Sequence, residues 1–443
     1  MNPSEARAAL SVAWGRTDRL FELLTPQALH ARPIPLRHPF IFYLGHLPAF
    51  AWNQIARGVL ELPPFEPAFD ELFERGIDPL DERAAQDASI SDWPDQARVL
   101  AYRDRVRATV LETVDAVAAR APTDPLAAGL RIHHVVLEHE LMHQETLLYM
   151  VQALDPALKH RPPSIPLPEG GPAPAAARVA VGAGRVSLGV TLEDVPFAWD
   201  AELGRLDVEV PAFLIDRLPV TVGRFADFVA AGGYADHRFW RPDAWAWRQR
   251  AGLEHPASWR RTPDGGYEVA WVLGHAPLAT ASGWPVQVSQ AEAAAYARWR
   301  NARLPSEAEL HHAAFGTPDG QTRLHPWGAS APDSTRGAFD FNRWAPAPVG
   351  STPLGQSAWG VEELVGNGWE HTSTAFAPLP GFEPWIRSYQ GYARDFFDDQ
   401  HTVVFGASWA TDARLMRPSF RNWYQRHYAF PFTAFRCVYP EEP

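Results

Sequence analysis

The sequence predicts an α+β protein of more than one domain, in which a four-helix bundle precedes an irregular α+β domain. The length of 443 residues exceeds what one hydrophobic core usually serves. The character of the chain also changes across residues 161–178, a segment rich in proline, glycine and alanine that is typical of a linker. These observations predict a first domain at 1–160, a linker at 161–178 and a second domain at 179–443.

Four segments of the first domain have helical spacing of apolar residues, few internal prolines and good helix formers. Helices joined by loops in this number form a bundle. The second segment is mostly apolar and contains Pro48, which predicts a kink or a helix boundary. The predicted helices are residues 4–23, 39–56, 95–121 and 126–154.

The second domain begins with short valine-rich runs at 179–189 and 206–221, whose alternation predicts strands. Glycine, proline and tryptophan are frequent after them. A helix is predicted at 289–301, where Ser289 and Glu292 form a capping-box pattern, and another at 305–315. This mixture predicts an irregular α+β domain.

The composition excludes several classes of function. A formal charge of −12 argues against nucleic acid as the main partner, because phosphate binding requires a basic face. No stretch approaches the ~18–20 apolar residues of a membrane span, and the N-terminal residues lack the pattern of a signal peptide. Cys437 is the only cysteine, so an intrachain disulfide is impossible. We therefore expect a cytoplasmic protein.

The sharpest local motif is EHELMHQET, in which His139 and His143 are four residues apart on a predicted helix. This spacing projects both imidazoles from one face, where they can bind one metal ion. The same HExxH pattern occurs in zinc hydrolases, where the central glutamate, here Glu140, is the general base. A structural role for both histidines is a third interpretation.

A third ligand is needed for such a site, and His46 lies in the apolar helix at 39–56. An antiparallel bundle can bring this helix against the one that carries the histidine pair. A core histidine is the alternative interpretation of His46. Three neutral imidazoles leave coordination positions open, which suits iron(II) that must bind O₂ and substrate. Glu138 and Glu145 are candidates to orient the ligands. Other candidate histidines are His38, His133, His134 and His160.

Several motifs in order along the chain resemble one family. These are LRHPFIFYLGH, EHELMHQET, LPSEAEL, GNGWEHT, SFRNWY and FRC. Together they resemble the hercynine sulfoxide synthases of ergothioneine biosynthesis, over nearly the whole chain. The resemblance implies a DinB-like four-helix bundle followed by a formylglycine-generating-enzyme-like (C-type-lectin-like) domain. Formylglycine-generating enzymes rely on a cysteine pair, so the lone Cys437 argues against that chemistry.

The resemblance also implies a function and a site. It implies iron(II) held by His46, His139 and His143 at the domain junction, and O₂-dependent attachment of a chalcogen to imidazole C2 of hercynine. It implies that Asn422 and Trp423 line the pocket for the trimethylammonium group of hercynine, which aromatic faces can hold. Tyr424 and Trp369 are further candidates for substrate binding.

The sequence departs from the best-known branch of this family. Tyr424 and Tyr428 stand where the branch that uses γ-glutamylcysteine carries an acidic residue and an arginine. Met142 replaces a common glutamine, and Leu379 replaces the tyrosine that usually donates a proton. Tyr102, Tyr389 and Tyr392 are candidate substitutes for that tyrosine.

With these departures, the sequence resembles the branch of the family that makes selenoneine from a selenosugar. A neutral sugar needs hydroxyl-binding groups and aromatic faces rather than arginine clamps. The expected partners are hercynine, O₂ and a selenosugar, with cysteine or γ-glutamylcysteine as the alternative donor. A non-catalytic tryptophan-rich binding module is the alternative from another functional class.

Overall fold

The structure is a computed structural model that describes residues 1–74 and 93–440. The chain divides into two compact units. The first unit consists of residues 1–162, 192–200 and 384–392, and the second consists of residues 163–191, 201–383 and 393–443. The first unit therefore includes two short segments that lie far beyond residue 160.

The first unit is helical. Its helices are α1 (Pro3–Phe21), α2 (Phe40–Trp52), α3 (Pro67–Phe73), α4 (Gln96–Ala119) and α5 (Arg131–Ala153). All four predicted helices are present, and the short α3 is an addition. Helix α1 begins with Asn2, whose side chain accepts from the backbone N–H of Glu5 while the Glu5 carboxylate accepts from that of Asn2. This capping box fixes the start of the helix.

Helix α2 continues through Pro48, so of the two outcomes predicted there, a kink or a boundary, the boundary is wrong. Proline removes one backbone donor and normally interrupts a helix. Here every residue of α2 is buried, and packing on all sides holds the helical path. A π-helical stretch, Asn53–Leu60, follows directly.

Helix α5 begins at Arg131, later than the predicted residue 126. Gly129 and Leu130 have φ angles of 61° and 57°, which places both in the left-handed region and prevents an earlier start. At the other end, Lys159 is buried and donates to the carbonyl oxygens of Val151 and Gln152 at 2.6 and 3.1 Å. Lys159 is the only lysine in the sequence. A cation at this position satisfies the last carbonyls of the helix.

The segment 384–392 is tied to the rest of the first unit by several polar contacts. Asp200 Oδ1 accepts from the backbone N–H groups of Trp385 and Ile386 at 3.3 and 3.4 Å. Arg387 donates to both carboxylate oxygens of Asp124 at 2.9 and 2.7 Å. These contacts bring a distant part of the chain into the helical unit.

The second unit contains twelve short strands within its described residues, arranged in four small sheets. The sheet orders are β1-β4-β12, β10-β9-β8-β11, β2-β3 and β5-β6-β7. The strands are β1 (Arg178–Val181), β2 (Gly184–Leu188), β3 (Leu206–Val210), β4 (Phe213–Asp216), β5 (Trp259–Arg261), β6 (Tyr267–Trp271), β7 (Gly274–Pro277), β8 (Gly368–Ala375), β9 (His401–Ala407), β10 (Asn422–Gln425), β11 (Thr433–Ala434) and β12 (Val438–Tyr439). The strands predicted at 179–189 and 206–221 are confirmed.

The helices that accompany these strands are α6 (Val222–Ala230), α7 (Pro242–Arg250), α8 (Leu278–Ala281), α9 (Gln290–Trp299) and α10 (Glu307–Phe315). The short helix α11 (Gly391–Arg394) begins at the end of the first unit's last segment and ends in the second unit. Helices α9 and α10 were predicted, and the capping box of Ser289 and Glu292 is present. Among the described residues, no helix is long and apolar enough to cross a membrane.

The core of the second unit contains a fully buried ion pair. Arg436 donates to Glu370 Oε1 at 2.6 Å, and neither side chain is exposed. The same guanidinium donates to the backbone carbonyl oxygens of Asp216 and Glu362. A buried pair with this many hydrogen bonds is costly to break, because either partner alone would leave a charge without compensation. Cys437 is buried beside it.

Candidate metal centre

Three histidines converge inside the first unit. His46 lies on α2, and His139 and His143 lie one turn apart on α5. Their side chains are almost fully buried, and one ring nitrogen from each lies within 4.8 Å of the other two. The four-residue spacing on α5 brings His139 and His143 together, and the packing of α2 against α5 places His46 beside them.

The spacing of the nitrogens fits one ion. His139 Nε2 and His143 Nε2 are 3.1 Å apart. Two imidazole nitrogens bound at about 2.1 Å lie about 3.0 Å apart at a right angle and about 3.4 Å apart at the tetrahedral angle. The observed distance lies between these values and nearer to the right angle, which three ligands on one face of an octahedron require.

The orientation of His46 is fixed by the backbone. Its Nδ1 lies 2.7 Å from the carbonyl oxygen of Phe73, so Nδ1 carries the proton and donates it. Nε2 is then the lone-pair nitrogen that faces the other two rings. This arrangement, in which the second nitrogen of a ligand is held by an acceptor, is usual at metal sites.

Burial sets the charge of the cluster. It lowers the pKa of His46 to about 4 and lowers the pKa values of His139 and His143 well below their usual range. Neighbouring imidazoles add to the effect for His139 and His143. All three rings are therefore neutral, and neutral imidazole is the form that binds a metal.

The alternative histidines do not join this group within the described residues. His133 is fully buried, and neither of its ring nitrogens has a hydrogen-bond partner among the residues that the structure describes. His134 stacks on Phe197 with ring centroids 5.4 Å apart, His38 tilts over Phe42 at 4.2 Å, and His160 is exposed.

The three glutamates of the EHELMHQET motif also have defined surroundings in the bundle. Glu140 accepts a hydrogen bond from Thr17 on α1 and lies 3.9 Å from Arg107 on α4. Its carboxylate is thus engaged by two other helices of the bundle. Glu138 accepts from the indole N–H of Trp199 at 2.7 Å, and Glu145 is buried on α5.

The three candidate tyrosines differ in their surroundings. Tyr102 is buried and donates to Asp70 Oδ1 at 2.6 Å, and burial together with this carboxylate raises its pKa. Tyr389 lies with its ring centroid 6.3 Å from that of His139. Tyr392 donates to the sulfur of Met142, the residue before His143, at 3.7 Å. Tyr389 and Tyr392 therefore adjoin the histidine cluster, and the hydroxyl of Tyr102 is held by Asp70.

Two aromatic neighbours of the cluster were missed by sequence reasoning. Phe50 stacks on His139 with ring centroids 3.5 Å apart, and Tyr43 lies 5.6 Å from His143. Both lie on α2: Tyr43 is three residues before His46, and Phe50 is four residues after it. This spacing was the available signal, because residues three or four apart share a helix face.

The chain is similar to known proteins over almost its whole length. The DinB superfamily model matches residues 9–147, and the sulfatase-modifying factor enzyme 1-like domain matches residues 166–440. Hercynine oxygenase of Mycolicibacterium smegmatis is 36% identical over 426 residues, which cover 94% of this chain and 94% of that relative. Its counterpart in Mycolicibacterium thermoresistibile is 38% identical over 432 residues, covering 95% and 91%. The chain belongs to the hercynine oxygenase family.

A fungal relative extends this comparison. Ergothioneine biosynthesis protein 1 of Neurospora crassa is 30% identical over 514 residues, which cover 97% of this chain and 57% of that protein. The family resemblance inferred from the sequence motifs is confirmed, as is the order of a DinB-like domain and a formylglycine-generating-enzyme-like domain.

The residues expected to bind substrate in a hercynine oxygenase lie in the second unit. Trp423 is half-buried on β10 and stacks on Phe376, with centroids 4.0 Å apart and planes 10° apart. Asn422 donates to the hydroxyl of Tyr424 at 3.4 Å. Trp369 is 1% exposed in the core, so its large side chain serves packing rather than contact with a ligand.

Leu379, which the sequence motifs predict to stand in place of a proton-donating tyrosine, lies in the second unit. This side chain is 3% exposed and packs against the backbone at Gly189 and Gly204. A leucine has no proton to donate, so Leu379 fills a buried apolar site.

Proposed function

We propose that the chain catalyses iron(II)- and O₂-dependent formation of a carbon–chalcogen bond at imidazole C2 of hercynine, with a selenosugar as donor. The observation that carries the proposal is the buried cluster of His46, His139 and His143 in a member of the hercynine oxygenase family. The alternative donors are cysteine and γ-glutamylcysteine, which would make the product a sulfoxide of the ergothioneine pathway.

The donor set supports iron(II). Three neutral imidazoles suit a divalent first-row metal, and no carboxylate belongs to the group of side chains that converge within the described residues. The bound ion would supply the activation of O₂. The protein would hold the ion on one side through Nε2 atoms and exclude bulk water by burial.

The position of Glu140 argues against a hydrolase. A metalloprotease needs this glutamate beside a metal-bound water, where it acts as general base. Here the Glu140 carboxylate accepts from Thr17 and faces Arg107. The proposed oxidative reaction has no need of a base at this position.

We assign hercynine to Asn422 and Trp423. A trimethylammonium group cannot donate hydrogen bonds, so aromatic faces must stabilise it. The ring of Trp423 is held by Phe376 on one side and lies 5.7 Å from Phe396. An indole held in this way keeps a fixed orientation for a ligand.

The charges around Tyr424 and Tyr428 support a neutral donor. The two phenol rings are nearly parallel, with centroids 5.9 Å apart. The arginines in the neighbouring sequence all have partners: Arg417 donates to Glu202, Arg421 to Glu307 and Arg426 to the carbonyl oxygen of Asp399. A donor with two carboxylates would lack a cation here, and an unsatisfied buried group costs about 1–3 kcal/mol.

Several other arginines already have acidic partners. The following each form an ion pair with a carboxylate: Arg98, Arg103, Arg105, Arg387 and Arg394. Exposed pairs are weak, but a ligand would have to displace each partner first. This further disfavours γ-glutamylcysteine.

A competition assay tests the function. The protein is loaded anaerobically with iron(II), freed of excess metal, and mixed with O₂, hercynine and equal concentrations of a selenosugar, cysteine and γ-glutamylcysteine. We expect mass spectrometry to detect mainly the selenium product. A dominant sulfur product would overturn the donor and leave the reaction class intact. Iron-loaded protein that forms neither product would overturn the function and favour a binding module.

A further inference from the structure

We propose that the first unit contains a path of oxidisable aromatic side chains that carries stray oxidising equivalents away from the three-histidine centre. The path is formed by Tyr389, Tyr392 and Trp199 and leads to Trp385. It rests on the proposed function, because only a centre that activates O₂ generates such equivalents. Its role is to protect the buried site when O₂ is activated without productive turnover.

The path begins at the metal ligands. The ring of Tyr389 lies 6.3 Å from His139 and 5.1 Å from Phe50, which is itself stacked on His139. Tyr392 follows with its ring centroid 5.6 Å from that of Tyr389. Electron transfer over such distances between aromatic rings is fast compared with enzymatic turnover.

The next step is the closest contact of the path. Tyr392 and Trp199 are stacked, with ring centroids 4.3 Å apart and planes 28° apart. Tryptophan and tyrosine are the most easily oxidised aromatic side chains, whereas phenylalanine is not oxidised under such conditions. The order of residues therefore leads from the centre to a tryptophan.

The hydrogen bond of Trp199 explains why the oxidation would pass from Tyr392 to this residue. The indole N–H of Trp199 donates to Glu138 at 2.7 Å, and a good acceptor at this distance stabilises the positive charge of an oxidised indole. The Tyr392 hydroxyl donates to the thioether of Met142, which is a weak acceptor.

The electrons and protons balance as follows. One electron from Trp199 passes through Tyr392 and Tyr389 to fill a one-electron oxidising equivalent at the centre. The indole N–H of Trp199 keeps its hydrogen bond to Glu138, and a tryptophan cation radical remains. One electron from Trp385 then restores Trp199. A small thiol in solution gives one electron to Trp385 and its proton to water, and two of the resulting thiyl radicals combine to a disulfide.

An exit toward solvent is also present. Trp199 is 1% exposed and contacts Phe197, with ring centroids 5.5 Å apart. Phe197 lies 6.2 Å from Trp385, which is half-buried. The Trp385 indole donates to the carbonyl oxygen of Ala198 at 3.2 Å. A soluble reductant can thus reach the end of the path without entering the site.

The test uses the full-length protein loaded with iron(II) and freed of excess metal. A limiting amount of hydrogen peroxide is added without hercynine or donor, so the outcome does not depend on turnover. Freeze-quench electron paramagnetic resonance detects radicals, and peptide mass spectrometry locates oxidised residues. Zinc-loaded protein is the control, because zinc has no redox chemistry.

We expect a tryptophan radical and oxidation of Trp199 and Trp385 in the unchanged protein. Trp199→Phe should lower the radical yield severalfold and raise the Met142 sulfoxide severalfold, because oxidation then stays beside the centre. Trp14→Phe removes a buried tryptophan elsewhere in the same unit and should behave like the unchanged protein.

Two results would overturn the path. One is oxidation confined to Phe50, Tyr389 and Met142 in the unchanged protein, and the other is equal behaviour of Trp199→Phe and Trp14→Phe. Tyr392→Phe interrupts the path at a second point and serves if Trp199→Phe does not fold. A peroxide-dependent Trp199 radical in a protein that makes no hercynine product would refute the proposed function and retain the path.

Discussion

The Nδ1 atom of His46 lies 2.7 Å from the carbonyl oxygen of Phe73. This contact decides which nitrogen of His46 faces His139 and His143. It also links the metal centre to the end of α3, a helix absent from the sequence prediction. Any substitution of Phe73 would leave its backbone carbonyl oxygen in place. A test of the metal centre must therefore replace His46 itself.

Alanine at His46 should abolish iron binding at stoichiometric levels. Two imidazoles on α5 would remain, and a buried site with two neutral ligands holds iron(II) weakly. Iron content after gel filtration, measured by plasma mass spectrometry, checks this. His133→Ala is the matched control, since it removes a buried histidine from the same bundle. Full iron occupancy in His46→Ala would assign the third ligand elsewhere.

Glutamine at Glu140 should leave hercynine turnover within about tenfold of the unchanged protein, far less than the loss expected for a general base. The amide can still accept from Thr17, so the bundle keeps this contact. The measurement is kcat at saturating hercynine with iron content determined in parallel. A loss of several orders of magnitude at full iron occupancy would revive the hydrolase interpretation.

Alanine at Trp423 should raise the KM for hercynine by up to about thirtyfold, because an aromatic face on a desolvated cation is worth ~2 kcal/mol. The KM for the donor should change little. Trp245→Ala removes a half-buried tryptophan elsewhere in the second unit and is the control. An effect on the donor alone would reverse the assignment of Trp423.

The double substitution Tyr424→Asp and Tyr428→Arg should shift the enzyme toward γ-glutamylcysteine. It introduces the acidic residue and the arginine that we expect at these positions in a branch that uses γ-glutamylcysteine. A charge-assisted hydrogen bond contributes about 1.5–3 kcal/mol, so the ratio of kcat/KM between thiol and selenosugar should rise at least about tenfold. Competition between the two donors measures the ratio. An unchanged ratio would remove both residues from donor selection.

Lys159 should make stability depend on pH. Burial lowers its pKa from 10.5 to about 8. Between these values the unfolded chain binds more protons than the folded one, so the free energy of unfolding rises with pH. The destabilisation caused by the buried charge of Lys159 is fully present below about pH 8. It is relieved by roughly 1–3 kcal/mol as the pH rises to the pKa of lysine in the unfolded chain.

Urea unfolding of the unchanged protein and of Lys159→Met checks this between these two pH values. As the pH rises, the free energy of unfolding of the unchanged protein should increase relative to that of Lys159→Met. Parallel pH profiles would show that Lys159 stays charged in the folded state.

The parts of the fold that follow local rules were predictable. The spacing of His139 and His143, the capping box at Ser289 and the strands at the start of the second domain each depend on a few neighbouring residues. A helix boundary was one of two outcomes predicted at Pro48, and it is absent because the complete burial of α2 overrides the local preference of proline. Local sequence cannot report how tightly a helix is packed.

The surroundings of the metal centre were less predictable. From residue pattern alone His46 was one of several histidines, and the family resemblance selected it. Tyr389 and Tyr392 belong to a distant segment that Asp200 and Asp124 help to hold in the first unit. Such long-range contacts have no signature in the sequence near the tyrosines.

The discontinuous make-up of the first unit has a consequence for how the protein is made. Ribosomes release chains from the N-terminus, and domains generally fold as they emerge. The helices that carry the three histidines emerge early, but residues 384–392 complete the same unit only after most of the second unit has been synthesised. The unit that is translated first is therefore finished late, and until then the side of the histidine cluster that Tyr389 and Tyr392 cover stays open.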